Sequence, residues 1–255
     1  MHKIRCAEIW GGNRPVDTSV CTSALSAAIH SKVCDGEAGG DIYYFSVCSY
    51  DKLTRIAIAD LRGHGDEASH LSRWLYDALE ERMNTLDGAG VLTQLNQLVH
   101  AQGFQAITTA AIVSYYTGDS KLHYSYAGHP PMVVRRQGES WRSLPIDDAA
   151  PGIANLPLGV MANVRYDQRE MQLQPMDRLF LYTDGLSERA NAAGDLYGDE
   201  RLTGILERTG DLDLDAVKGA ILADLTLHGG GQAADDDCTL LVVEVGASLF
   251  REFPE

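Results

Sequence analysis

The sequence predicts an α+β fold, a sandwich with antiparallel sheets inside and helix pairs outside. Three observations carry this expectation. Apolar, β-branched runs follow one another with only turn residues between them, as in "ITTAAIVSYY", "LHYSYAG" and "PMVVRR"; this is the pattern of meanders, whereas a parallel sheet needs a crossover between strands. Helical periodicity comes in neighbouring pairs of segments, which suits covering the outer faces of sheets. The 255 residues contain no Pro/Ser-rich linker, repeat or low-complexity tract, so one domain over 1–255 is expected, with residues 1–20 as an N-terminal extension.

Along the chain, "SALSAAIHSKVC" has the small residues of a helix, but its place before the turn-forming "DGEAGGD" favours a first strand. The runs "DIYYFSVCSY" and "TRIAIAD" are strands bounded by Gly and Asp. A helix starts just after Gly65: in "DEASHLSRWLYDALEERMN" the apolar residues Leu71, Leu75, Leu79 and Met83 recur every fourth position, and Asp66 and Glu67 suit the positive end of the helix dipole. Trp74 and Tyr76 read as packing on that helix. A second helix over "AGVLTQLNQLVHAQ" precedes the three-strand meander, followed by strands "VRYDQREMQL" and "DRLFLYTD". The helices "DERLTGILERT" and "LDAVKGAILADLTLH" then lead to a last strand, "CTLLVVEV".

A formal charge of −15 with no basic stripe repels phosphate backbones and anionic lipid, which argues against nucleic acid or a membrane surface as partner. No apolar run is long enough to span a bilayer and the start lacks a secretory apolar region, so a cytoplasmic location is expected. The five cysteines lack C-x-x-C and zinc spacing and read as reduced packing residues; acidic neighbours make Cys238 a poor thiolate.

Four aspartates stand at breaks in apolar strands: Asp41 after "EAGG", Asp60 after "RIAIA", Asp184 after "RLFLYT" and Asp236 in "AADDDCTLL". Glycines lie beside or near three of them, and for any one site Asp with Gly reads as an ordinary turn. Four together point to a shared role, because converging carboxylates cannot all stay ionised unless divalent cations supply the missing charge. Oxygen ligands suit Mg²⁺ or Mn²⁺, and two such ions roughly 3.5–4 Å apart suit in-line attack of water on a phosphoryl group. Spacing alone goes no further than a metal-dependent phosphoryl hydrolase.

The ordered set "GGD" (Gly39 to Asp41), "ADLRGHG" (Ala59 to Gly65), "TTAAIV" (Thr108 to Val113), "YAGHPP" (Tyr126 to Pro131), "LYTDGLSE" (Leu181 to Glu188) and "DDCTLLVV" (Asp236 to Val243) resembles the SpoIIE/RsbU-type branch of the PP2C (PPM) serine/threonine phosphatases. The resemblance implies a PP2C-like α/β/β/α sandwich binding two Mn²⁺ or Mg²⁺ ions. It implies that Asp60 bridges the two metals beside the backbone carbonyl of Leu61, that Asp41 serves one ion partly through waters, and that Asp184 and Asp236 serve the other. The branch often reads "GGDYYD" and "DVSGHG"; this chain reads "GGDIYYF", without a second acid around Phe45, and "DLRGHG", with Arg62 in the turn.

Arg62 can hold a substrate phosphate bidentately or balance local acid from solvent. His64 can protonate the leaving serine or threonine oxygen or fill the turn before the helix. His129 reads as structural, and Asp237 as a supporting or capping group rather than a ligand. The resemblance further implies a protein serine/threonine phosphatase, with Asp60, Asp184, His64 and Arg62 at the reaction, acting on a phosphorylated STAS-type anti-sigma-factor antagonist in bacterial partner-switching. With no sensor domain expected ahead of the motifs, regulation is expected from a separate protein. The rival of another class is a catalytically weak PP2C-fold binding module; a GGDEF-like cyclase leaves "TDG" and "DDCTLL" unexplained.

Overall fold

The computed structural model describes residues 1–48, 50–63, 65–144 and 155–246. Among the described residues thirteen strands form two sheets. The first contains β1 (His2–Lys3), β3 (Val16–Cys21), β4 (Leu25–Lys32), β13 (Cys238–Val245), β12 (Arg178–Tyr182), β9 (Val133–Arg135) and β10 (Arg142–Ser143), in that spatial order. The second contains β11 (Arg169–Gln172), β8 (Lys121–Ala127), β7 (Thr108–Tyr116), β6 (Leu53–Leu61), β5 (Ile42–Cys48) and β2 (Ile9–Gly12). All named pairings are antiparallel except the short β1–β3 edge. Residues 1–20, set apart as an extension in the sequence, supply β1, β2 and β3 to the two sheets.

Strand alternation divides the core into three layers. Ile29, Leu241 and Val243 of one sheet meet Phe45, Ile56, Ile58 and Val113 of the other in a cluster between the sheets. The intervening residues face outward: Ala57, Ala59 and Ile112 lie under α1 (Asp66–Glu80) and α2 (Gly88–Gln102). Ala28, Leu240 and Val242 lie under α4 (Gly198–Thr209) and α5 (Leu214–Gly229). The order is therefore helices, sheet, sheet, helices, with a one-turn helix α3 (Asp184–Ser187) at the end of β12.

The helix ends follow from local chemistry. Asp87 and Asp213 cap α2 and α5, accepting the amides of Gly90 and Ala216 at 2.8 Å. Gly65 opens α1 at φ 84°, a conformation open to glycine, with Asp66 and Glu67 in the first turn. Leu75 and Leu79 are buried as the period requires, Trp74 is partly buried on the same layer, and Met83 is buried just beyond the helix.

Candidate metal centre

Pleating and register aim the carboxylates. Ile42 pairs with Ala59, and one further step of that register sets Asp41 level with Asp60 at the shared end of β5 and β6. Tyr43 and Ile58 point between the sheets, so Asp41 and Asp60, each two residues away, share that face. On the opposite sheet Leu181 and Leu241 point inward, and the same alternation turns Thr183, Thr239 and Asp237 inward and Cys238 outward. Asp184 opens α3 directly after Thr183, and Asp236 stands in the exposed turn before β13.

Close approach of backbones draws these segments together. A Cβ at Gly185 would lie 1.8 Å from the Asp237 carbonyl, and one at Gly40 would lie 2.7 Å from the Leu61 carbonyl. Only glycine allows the two motifs in each pair to meet. Asp237, 3% exposed, uses both carboxylate oxygens on the loop that joins β4 to β5 and ends in Asp41: Oδ1 accepts the Cys34 amide at 2.8 Å and Oδ2 the Gly40 amide at 2.6 Å. Asp41, 2% exposed, accepts the Thr183 hydroxyl at 2.8 Å and is also braced by Thr239. The threonines are the supporting residues that the sequence reading missed; the Thr immediately before Asp184 in "YTDG" was the available signal.

The electrostatics are those of crowded acids. Burial pushes the Asp60 carboxyl well above the carboxylate range, and the charges of Asp41, Asp184, Asp236 and Asp237 push it further. Burial also raises Asp41, opposed by the Thr239 and Thr183 hydroxyls and reinforced by Asp237 and Asp236. Asp184 is raised by burial and then by Glu188, while the Gly185 amide, its own amide and a hydrogen bond with Asp60 act against this. Asp236 is raised by the partial desolvation of its carboxyl; the Asp237 amide, 2.9 Å away, opposes this, and Asp184 and Asp237 add to it.

Oxygen donors and unbalanced negative charge fit hard divalent cations. Among the described residues no three His, Cys, Asp or Glu side chains form a ready-made ligand cluster. Any ion here would therefore draw the carboxylates in around it, with carbonyl and water oxygens completing its shell, the habit of Mg²⁺. The Leu61 carbonyl has the bare side of Gly40 as its neighbour. Tyr44 and Phe45 are buried in apolar clusters and offer no replacement for the acid missing after "GGD".

The turn after Asp60 supplies the remaining expectations. His64 lies outside the described residues. The Arg62 amide donates to Ile107 at 3.0 Å, while its side chain is exposed and has no partner among the described residues. His129 is buried; its Nδ1 lies 3.0 Å from the Thr109 hydroxyl, and Thr109 is the register partner of Asp60. Burial lowers the His129 pKa to about 3, a backbone contact with Tyr182 acting the other way, so the ring is neutral, and its buried Nε2 has no hydrogen-bond partner among the described residues.

Comparison with known proteins bears on the family and the fold. Residues 50–246 match the family described as Stage II sporulation protein E (SpoIIE). The phosphoserine phosphatase RsbP of Bacillus subtilis (strain 168) is 22% identical over 214 residues, covering 81% of this chain; the chain spans only 49% of the length of RsbP. Among solved structures, the SiaA-PP2C domain of Pseudomonas aeruginosa superposes with a TM-score of 0.74 at 22% identity, covering 86% of this chain and 85% of that one. The catalytic domain of the serine/threonine protein phosphatase PstP, solved with two manganese ions, reaches 0.55 at 20% identity, covering 88% and 99%. These likenesses show the fold as PP2C-type.

Proposed function

The chain belongs to the SpoIIE family, and from that premise we propose that it is a metal-dependent phosphatase of phosphoserine and phosphothreonine in proteins. The observation that carries the proposal is the convergence of Asp41, Asp60, Asp184 and Asp236, all raised by desolvation and, for Asp41, Asp60 and Asp236, by the charges of neighbouring acids. RsbP, similar over most of this chain, is named as a phosphoserine phosphatase, and PstP carries two manganese ions.

Asp60 would be shared by two Mn²⁺ or Mg²⁺ ions, with Asp41 and the Leu61 carbonyl on one side and Asp184 and Asp236 on the other. When bound, such ions supply Lewis acidity and charge neutralisation at a phosphoryl group. The chain's own work is positioning. The hydroxyls of Thr183 and Thr239 fix Asp41, and Asp237 fixes the backbone of Gly40 that leads into it. Arg62, exposed beside the centre, would orient the substrate phosphate. His64 would deliver the proton to the leaving serine or threonine oxygen. The substrate would be a phosphorylated STAS-type anti-sigma-factor antagonist in a partner-switching circuit, with a separate protein as regulator.

The test is phosphate release from an aryl phosphate and a phosphoserine peptide with Mn²⁺, Mg²⁺ or chelator, comparing wild type with Asp60→Asn and Asp184→Asn. Metal-dependent turnover lost in both variants supports the proposal. Metal binding without turnover on any substrate would instead favour the binding-module reading.

A further inference from the structure

Alternation along β13 gives the carboxylate end of this sheet two different faces. Asp237 turns inward to the metal centre, and the next residue, Cys238, turns outward under α5. There it helps line a cavity of about 290 Å³ together with Lys32, Gly185, Arg189, Leu222 and Leu225. The cavity adjoins the metal centre through the backbone, since Gly185 follows Asp184 and Cys238 follows Asp237.

The lining has a defined chemistry. Lys32, the last residue of β4, lies opposite Cys238 in the strand register; it is exposed and has no hydrogen-bond or ion-pair partner among the described residues. Arg189 is fixed by the Ala233 carbonyl at 2.6 Å and by the Gln232 carbonyl, with Asp235 3.3 Å away at the surface. Leu222 and Leu225 of α5 give an apolar wall. With Arg189 already paired with Asp235, Lys32 is the cation left to face the hollow, in a chain of formal charge −15. The size suits a side chain, the apolar wall suits a methylene stem, and the unpaired Lys32 suits a carboxylate tip.

We propose that this cavity is a specificity subsite for an acidic residue, with glutamate the best fit, flanking the phosphoserine of the protein substrate. This rests on the phosphatase reading of the neighbouring centre. A peptide placing its phosphate at Asp60 would carry a neighbouring glutamate to the mouth of the cavity, where the lining residues Lys32 and Thr226 are exposed. The subsite would favour acidic phosphosegments, with attraction supplied locally against the overall negative field.

Fluorescence anisotropy tests the subsite without relying on turnover. Peptides bearing a non-hydrolysable phosphonate in place of phosphoserine, with Glu or Gln at each of the two positions on either side, are titrated in Mn²⁺. At one position the Glu peptide is expected to bind roughly fivefold tighter, the effect of one local charge contact. Lys32→Glu is expected to abolish or invert that ratio, and Thr226→Trp, at the exposed rim, to reduce it by filling the cavity. Equal affinities in wild type, or a preference that survives both variants, overturns the subsite. Phosphate release from the matching phosphoserine peptides separates the two readings: release without a Glu preference removes the subsite alone, and a Lys32-dependent preference without release removes the phosphatase reading alone.

Discussion

Asp237 illustrates how much of the centre depends on a residue that need not touch a metal. Its two oxygens hold the Cys34 and Gly40 amides at the two ends of the β4–β5 loop, so its loss leaves a part-buried and a buried donor unpaired near Asp41. Asp237→Ala is expected to cost roughly 1–3 kcal/mol in urea melts and about 10–100-fold in Mn²⁺ affinity by calorimetry. His129 predicts a pH dependence. Its pKa in the folded chain, about 3, lies below its ordinary 6.5, so between these values the unfolded chain binds the extra proton. Stability should therefore fall as pH drops through that window, by at most ~1.4 kcal/mol per pH unit from this group. His129→Gln is expected to show a shallower acid loss than wild type when melts at pH 7 and pH 5 are compared.

At the scale of elements, the contacts between motifs decide which substitutions the fold accepts. Gly185→Ala drives a methyl into the Asp237 carbonyl, with backbone on both sides, and is expected to destabilise by about 3 kcal/mol or more, read from the denaturation midpoint. The sequence made the strands beside the motifs and all four long helices legible, because hydrophobic period and capping residues are local signals; "CTLLVVEV" coincides with β13 and "AGVLTQLNQLVHAQ" falls within α2. It hid β2 and β3, whose Gly-rich "IWGG" and polar "VDTSVC" become strands by pairing with β5 and β4. Val164 and Tyr166, expected within a strand, are buried under α2 ahead of β11 instead. The positions of the four aspartates at strand ends were readable. Their supporting bonds from Thr183, Thr239 and Asp237 join residues far apart in the chain, and no local pattern announces them.

For the molecule as a whole, folding confines acids that resist confinement, and the cost is carried at the carboxylate end of the sandwich. Mn²⁺ at about a hundred times its dissociation constant would return ~2.7 kcal/mol, which for a chain of this size is a rise of roughly 5–10 °C in Tm. Asp60→Asn is expected to melt above wild type in chelator, since it removes the most repelled carboxyl, and to gain much less from Mn²⁺. A calorimetric scan of both proteins in both conditions reads all four values. Among the described residues no helix is long and apolar enough to cross a membrane.

The alternation at the start of β13 sets different limits on length variation on its two sides. An extra residue in the exposed turn at 230–235 would lengthen a loop and leave the strand's facing unchanged. An extra residue between Asp237 and Thr239 would either turn the amide-holding carboxylate outward or shift the whole strand by one place, exposing the Leu241 and Val243 row to the wrong layer. Insertions and deletions should therefore be tolerated up to Asp235 and stop abruptly after it.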